Sequence, residues 1–297
     1  MTSPDSHRSC PEQDGTPLFS DVMALEAVPG RPGHFDANLN AHWTIGPKPH
    51  GGVMIALCAN AARTAYLEGA PHPADSARAA GVEAVAQPIA VSANFLSAPE
   101  PGSVRLVATV RKRGRRIGLV DVELVQEART CVHAVVTMGQ PEHDARPLFC
   151  RDHEAGRMAP EPPADVVPIG PGHPGAAITN LAHGCDIRPE AVESLVDGVA
   201  PTFRVWVRPK VGRVDELFAL MCGDISLPVT YAVERRGWAP TVQLTAYLRG
   251  VPADGWLRVL CTTTEIGRDW FDEDHTVVDS SGRIVVQTRQ LAMVPPG

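Results

Sequence analysis

The stretch Val91-Ser92-Ala93-Asn94-Phe95-Leu96 leads through a turn containing Pro99 and Pro101 into Gly102-Ser103-Val104-Arg105-Leu106 and on to Gly114-Arg115. The same order returns later as Val242-Gln243-Leu244-Thr245-Ala246-Tyr247-Leu248, a turn containing Pro252, Gly255-Trp256-Leu257-Arg258-Val259 and Gly267-Arg268. The chain is therefore read as an internal duplication. Alternating apolar and polar residues predict four strands in each copy, over residues 88–96, 102–111, 117–126 and 130–139, and over 241–248, 255–266, 270–278 and 282–294. One helix precedes each set, so each copy is expected to be an α+β unit in which an antiparallel sheet wraps a central helix.

Outward from the repeat, residues 1–18 are polar, without periodicity, and read as a disordered leader. The two copies are expected to span residues 19–140 and 176–297. Between them, residues 141–175 are dense in proline and glycine and read as an interdomain linker running over the surface. Short strands are expected at residues 22–28 and 33–39 ahead of the first helix, and at 178–187 and 201–209 ahead of the second. The first helix, residues 53–62 and on to about 68, is apolar on every side and should be buried on every side. It is opened by Gly46-Pro47-Lys48-Pro49-His50-Gly51-Gly52. That loop has neither the Lys-Ser/Thr of a P-loop nor the GxGxxG of a dinucleotide fold, so its glycines are read as room for close packing or as free N–H groups at a helix start.

The second helix is expected over residues 215–226. There Leu217, Leu220, Met221 and Asp224 fall at i, i+3, i+4 and i+7, which sets a carboxylate on the apolar stripe. Either Asp224 is buried and needs hydrogen-bonding partners from elsewhere, or the last turn frays and it reaches solvent. In the last strand Ile284, Val286, Thr288, Gln290, Ala292 and Val294 share a face, so Gln290 should point inward, toward the helix. Asp224 and Gln290 would then answer each other's burial, as a structural hydrogen bond or as a site. Laid over the first copy, Gln290 pairs with Thr137, so any chemistry belongs to the second half. Thr241 alternates with Gln243, Thr245 and Tyr247 and should face away from the core unless the strand opens with a bulge beside Pro240.

In its order of motifs the chain resembles the double-hotdog acyl-CoA thioesterases, typified by the bacterial type II enzyme. The resemblance rests on Trp43 before the glycine loop and apolar helix, Asn94-Phe95-Leu96 and Gly114-Arg115-Arg116. In the second copy it rests on Asp224 with Pro228, Thr241 before Val242-Gln243-Leu244-Thr245-Ala246-Tyr247, and Val286-Gln287-Thr288-Arg289-Gln290. It implies two tandem hotdog domains, hydrolysis of acyl-CoA to a free acid and CoA, and a water held by Asp224, Thr241 and Gln290. Gly51 and Gly52 are then candidate substrate contacts. A non-catalytic acyl-CoA or lipid binder on the same scaffold is the alternative.

Two further features bear on function. Asp36 and His42 look like the Asp…His dyad of hotdog enoyl-CoA hydratases, but their spacing is one residue longer and they precede Trp43 among strands instead of opening the helix. The turn Arg111-Lys112-Arg113-Gly114-Arg115-Arg116 is either a solvated hairpin tip or a place for CoA phosphates, with Arg115 and Arg116 as the candidate contacts.

Composition narrows the partners. A 297-residue chain with 44% hydrophobic and 21% charged residues is ordinary for a globular protein, and its net charge of -7 argues against nucleic-acid binding. No apolar run reaches the roughly 18 residues of a membrane span. Seven scattered cysteines without a CxxC pair suit reduced thiols in the cytoplasm better than disulfides or zinc, and no metal or cofactor is implied. No GxSxG elbow is present, which disfavours a serine nucleophile. The expected protein is a cytoplasmic homo-oligomer without membrane insertion.

Overall fold

The computed structural model describes residues 15–68, 86–142, 147–190 and 200–296, so most of the expected leader and four residues of the expected linker lie outside the described residues. The first half comprises α1 (Phe19–Val22), β1 (Glu26–Ala27), β2 (His34–Leu39), β3 (Thr44–Ile45), β4 (Lys48–Pro49), α2 (Gly51–Glu68), β5 (Gln87–Phe95), β6 (Gly102–Arg113), β7 (Gly118–Gln126) and β8 (Arg129–Gly139). The second comprises α3 (Glu154–Arg157), β9 (Cys185–Pro189), β10 (Thr202–Pro209), α4 (Glu216–Cys222), β11 (Thr241–Leu248), β12 (Leu257–Thr262), β13 (Trp270–Val278) and β14 (Ile284–Met293).

Twelve strands form one sheet in the order β1-β2-β6-β7-β8-β5-β11-β14-β13-β12-β10-β9. Every pairing is antiparallel. The order reads the same outward from its centre, where β5 meets β11, and that symmetry is the duplication made visible. In the central ladder Leu244 faces Ala93, while Thr245 faces Ser92 and Gln243 faces Asn94. Burial corrects the equivalence drawn from the sequence. Thr137 alternates with the buried residues Ala134, Val136 and Met138 of β8, whereas Gln290 is on the buried face of β14, so Thr137 is not the counterpart of Gln290.

The helices α2 and α4 pack on each other beneath this curved sheet. Helix α2 behaves as its composition demands: every residue from Gly52 to Ala59 is buried. Helix α4 is shorter than expected. Asp215 caps its start by accepting the Phe218 N–H at 2.7 Å. At the other end Gly223 closes it, its carbonyl taken by the Thr288 hydroxyl at 2.6 Å, and a Cβ at position 223 would run into the Thr288 methyl. The helix thus stops before Asp224, which is a loop residue and not the last member of a helical stripe.

Two other expectations change. The strand expected over residues 22–28 is confined to Glu26–Ala27, and Val22 instead ends a helical turn begun at Phe19, which inserts edge-on between Trp43 and Phe218 with centroids 5.3 and 5.2 Å away. The expected strand over residues 178–187 begins only at Cys185, after a 3-10 turn over Asn180–His183. Of the expected linker, residues 155–159 pack on the outer face of the second half of the sheet. Ala155 is buried against Leu260 and Val278, Met158 against Trp206 and Trp256, and Trp206 Nε1 donates to the Ala159 carbonyl at 2.8 Å. This covering explains why Leu257 to Cys261 of β12 is buried on both faces, Arg258 included, whose guanidinium donates to the Met158 carbonyl at 2.9 Å and to the Asp279 carbonyl at 2.7 Å.

Candidate active site at the junction of the two halves

Helix α2 of the first half points its N-terminus at the loop that follows α4 of the second. Gly51 and Gly52 allow the approach: a Cβ at position 51 would lie 2.5 Å from Asp224 Oδ2, and one at position 52 would overlap the Met221 carbonyl. His50 precedes the helix and reaches across the junction, its Nε2 lying 2.8 Å from the Asp224 carbonyl oxygen and 3.7 Å from Oδ2. A carbonyl only accepts, so Nε2 carries the proton. Burial pushes the Asp224 carboxyl above its ordinary value, against the pull of His50, the Gly52 N–H and the Gln290 side chain.

Gln290 projects inward from β14, as the strand alternation predicts, and is buried. Its Oε1 accepts the Thr241 hydroxyl at 2.8 Å and its Nε2 donates to Glu273 Oε2. Thr241 reaches it because β11 does open with a bulge. Thr241 is opposite Ala292 and Gln243 opposite Leu291, so Val242 is the extra residue and Thr241 shares the inward side. Asp224, Gln290, Thr241, Gly51 and Glu273 all line a cavity of about 350 Å³. Its walls are mostly apolar and come from both halves, with Met54 and Phe95 from the first and Ile187, Val205 and Phe271 from the second.

The structure brings neither Arg115 nor Arg116 to this cavity. Their turn lies at the far end of α2, where Arg113 donates to the Ala65 carbonyl at 3.1 Å and to the Tyr66 carbonyl, a cation capping the negative end of the helix. From Gly51 to Tyr66 the helix runs about 22 Å at 1.5 Å per residue. Both arginines are exposed. The Asp36 and His42 pair is likewise taken apart: Asp36 is held by Arg105 at 2.8 Å, and His42 stacks edge-on with His183.

Sequence reasoning missed His50, Glu273 and His275. The last two follow Phe271 on the inward face of β13, at alternate positions that could have shown them; the run Asp272-Glu273-Asp274 reads as a solvated face only if the period of two is ignored. Burial pushes Glu273 up to about 8 and His275 down to about 3. His275 Nε2 lies 2.8 Å from Ser226 Oγ, but an imidazole held neutral to that pH is a weak base, so this pair does not make an activated nucleophile. Donor atoms of Cys261, Glu273 and His275 lie within 4.8 Å of one another, close enough to consider a metal. Both Glu273 oxygens already accept, from Val229 N–H at 2.7 Å and from Gln290, which favours a hydrogen-bonded network.

Two helices beneath one continuous sheet of two related halves, with an acid, an amide and a hydroxyl meeting at their junction, define a double-hotdog protein. The chain belongs to the acyl-CoA thioesterase family: residues 39–139 match its N-terminal domain and residues 156–294 its C-terminal domain. An uncharacterized protein of Mycobacterium tuberculosis is 57% identical over 94% of this chain and 98% of its own length. Among solved structures, one from Thermobifida fusca described as a candidate thioesterase II superposes with a TM-score of 0.74 at 22% identity, over 94% of this chain and 99% of that one. A hot dog fold protein of unknown function from Alicyclobacillus acidocaldarius gives 0.70 at 20% identity, over 94% and 98%.

Proposed function

We propose that the protein hydrolyses acyl-CoA to a free acid and CoA at Asp224. The observation that carries this reading is a carboxylate only 11% exposed, set at the N-terminus of α2 and facing an apolar cavity beside Gln290 and Thr241. Asp224 takes a proton from a water as that water attacks the thioester carbonyl. Gln290 and Thr241, joined at 2.8 Å on the cavity wall, hold the water. Negative charge gathers on the former carbonyl oxygen, and the first N–H groups of α2, which have no partner within the helix, are suited to receive it. Collapse of the tetrahedral intermediate breaks the C–S bond, and the CoA thiolate recovers the proton from Asp224. The apolar walls take the acyl chain. Five buried free thiols, at Cys58, Cys131, Cys185, Cys222 and Cys261, suit a reducing cytoplasm. Exposed Trp270, Leu291 and Met293 on the outer face of β13 and β14 suit association with a second copy.

The competing reading is an acyl-CoA binder without turnover, favoured by the engagement of both ends of the Gln290 amide with Thr241 and Glu273. Asp224→Asn decides between them. It keeps size but cannot accept the proton, so kcat for thiol release should fall on the order of a hundred- to ten-thousand-fold with the fold retained. A wild-type protein that binds acyl-CoA and releases no thiol would leave the binder.

A further inference from the structure

We propose that Glu273 is a positioning residue whose carboxyl sets which way round the Gln290 amide lies, and with it the direction of the hydrogen-bond chain Glu273–Gln290–Thr241 that ends in the cavity. The inference rests on the hydrolytic reading of Asp224, Gln290 and Thr241.

The argument is one of donors and acceptors. Glu273 is 2% exposed. Its Oε1 faces the Val229 N–H at 2.7 Å, a group that only donates, so this oxygen must accept in either protonation state. A proton on Glu273 therefore sits on Oε2, the oxygen that faces Gln290. Ionised, Oε2 accepts from the Gln290 amide nitrogen. The amide oxygen is then turned to Thr241, whose hydroxyl hydrogen is spent on it, as the 2.8 Å contact describes. Protonated, Oε2 must donate, so the amide turns over. Its oxygen receives the Glu273 proton, its nitrogen donates to Thr241 Oγ1, and the Thr241 hydroxyl hydrogen is freed toward the cavity.

Which arrangement holds depends on the groups around the carboxyl. Asp224 from the loop after α4 and Asp272 on the same strand raise its pKa, as burial does above all, while the Val229 N–H and Gln290 lower it. Cys261 of β12 and His275 of β13 complete the surroundings, and neither carries charge at neutral pH, the thiol pushed up and the imidazole pushed down by burial. The balance leaves the turnover of the amide near pH 8.

Glu273→Gln isolates the effect. Its own carbonyl must face the Val229 N–H, so its NH₂ faces Gln290 and locks the arrangement of the protonated acid at every pH. Glu273→Leu removes the clamp altogether. Two measurements on the full-length protein test this: kcat for thiol release from decanoyl-CoA between pH 6 and 9.5, and the ¹⁵N–¹H signals of the Gln290 side-chain amide over the same range. The wild type should lose turnover as pH rises through about 8. Glu273→Gln should lack that inflection and stay within about threefold of wild type at pH 6. Glu273→Leu should lose about ten- to a hundredfold in kcat at every pH with KM little changed, as expected when the partner that orients a reacting group is removed. The Gln290 amide signals should move with the same midpoint in wild type and stay fixed in Glu273→Gln. Signals in wild type that do not change with pH, or a Glu273→Gln profile equal to that of wild type, overturn the proposal. Signals that titrate in a protein that releases no thiol would instead leave the clamp standing and remove the hydrolytic reading.

Discussion

His50 Nε2 and the Asp224 carbonyl oxygen lie 2.8 Å apart, so the residue before the first-half helix holds the backbone of the second-half acid. The site is thus made by the duplication and not by one copy alone. His50→Ala removes the only N–H donated to that carbonyl among the described residues and leaves a buried acceptor short, a loss of about 1–3 kcal/mol. We expect a lower denaturation midpoint together with a fall in kcat, since Asp224 loses its backbone anchor. His50→Gln, which offers an N–H at similar reach, should recover part of both; equal losses in the two variants would remove this role.

A second expectation concerns Gly52. A Cβ there would overlap the Met221 carbonyl and approach the Asp224 Cβ, so Gly52→Ala must push α2 away from α4. Displacement of about 1 Å can cost on the order of a hundredfold in rate. Gly46→Ala is the control: it also lies in the loop, but with nothing near its Cβ and a φ of +53° it should act through local strain alone. Turnover by Gly52→Ala equal to that of wild type would show that the close approach is dispensable.

The strand pattern, the duplication and the inward Gln290 were legible in the sequence because they rest on local periodicity, which a strand with one buried face imposes. The end of α4 was not, because it depends on Thr288, 65 residues away, taking the Gly223 carbonyl. Thr241 stood between the two kinds of information. Its alternation pointed outward, Pro240 hinted at a bulge, and the register of β11 on β14 turned it inward. Glu273 was hidden by its charged neighbours, although Phe271, His275 and Val277 share its face and are buried.

Stability should depend on pH from both sides. Glu273 has an ordinary value of 4.5 and a folded value of about 8. The unfolded chain ionises first, so the contribution of Glu273 is full below 4.5 and is lost as pH rises to about 8. Asp224, also raised, acts in the same sense. His275 runs the other way: ordinarily 6.5 and folded about 3, it contributes above 6.5 and loses that contribution as pH falls toward 3. Denaturation midpoints measured from pH 4 to 9 should therefore flatten on the alkaline side in Glu273→Gln and on the acid side in His275→Asn. An unchanged curve in either variant would mean that the group in question does not titrate as its burial requires.

Thr241 gives the sharpest separation of chemistry from structure, because its hydroxyl meets Gln290 through the bulge and its methyl does not depend on that contact. Thr241→Val is nearly isosteric and deletes only the hydroxyl. The net worth of one such hydrogen bond is about 0.5–1.5 kcal/mol, so the fold should survive with a small shift in denaturation midpoint. Turnover should suffer more: the 2.8 Å contact between Thr241 and the Gln290 amide is lost, and the cavity loses a group that holds water. We expect kcat to fall about ten- to a hundredfold with KM for acyl-CoA nearly constant, the pattern of an interaction made in the transition state rather than in substrate binding. Thr241→Ser retains the hydroxyl on the same bulged backbone and should restore most of the rate. If Thr241→Val kept kcat within twofold of wild type, the hydroxyl would have no part in holding the water, and that duty would fall to Asp224 and Gln290 alone.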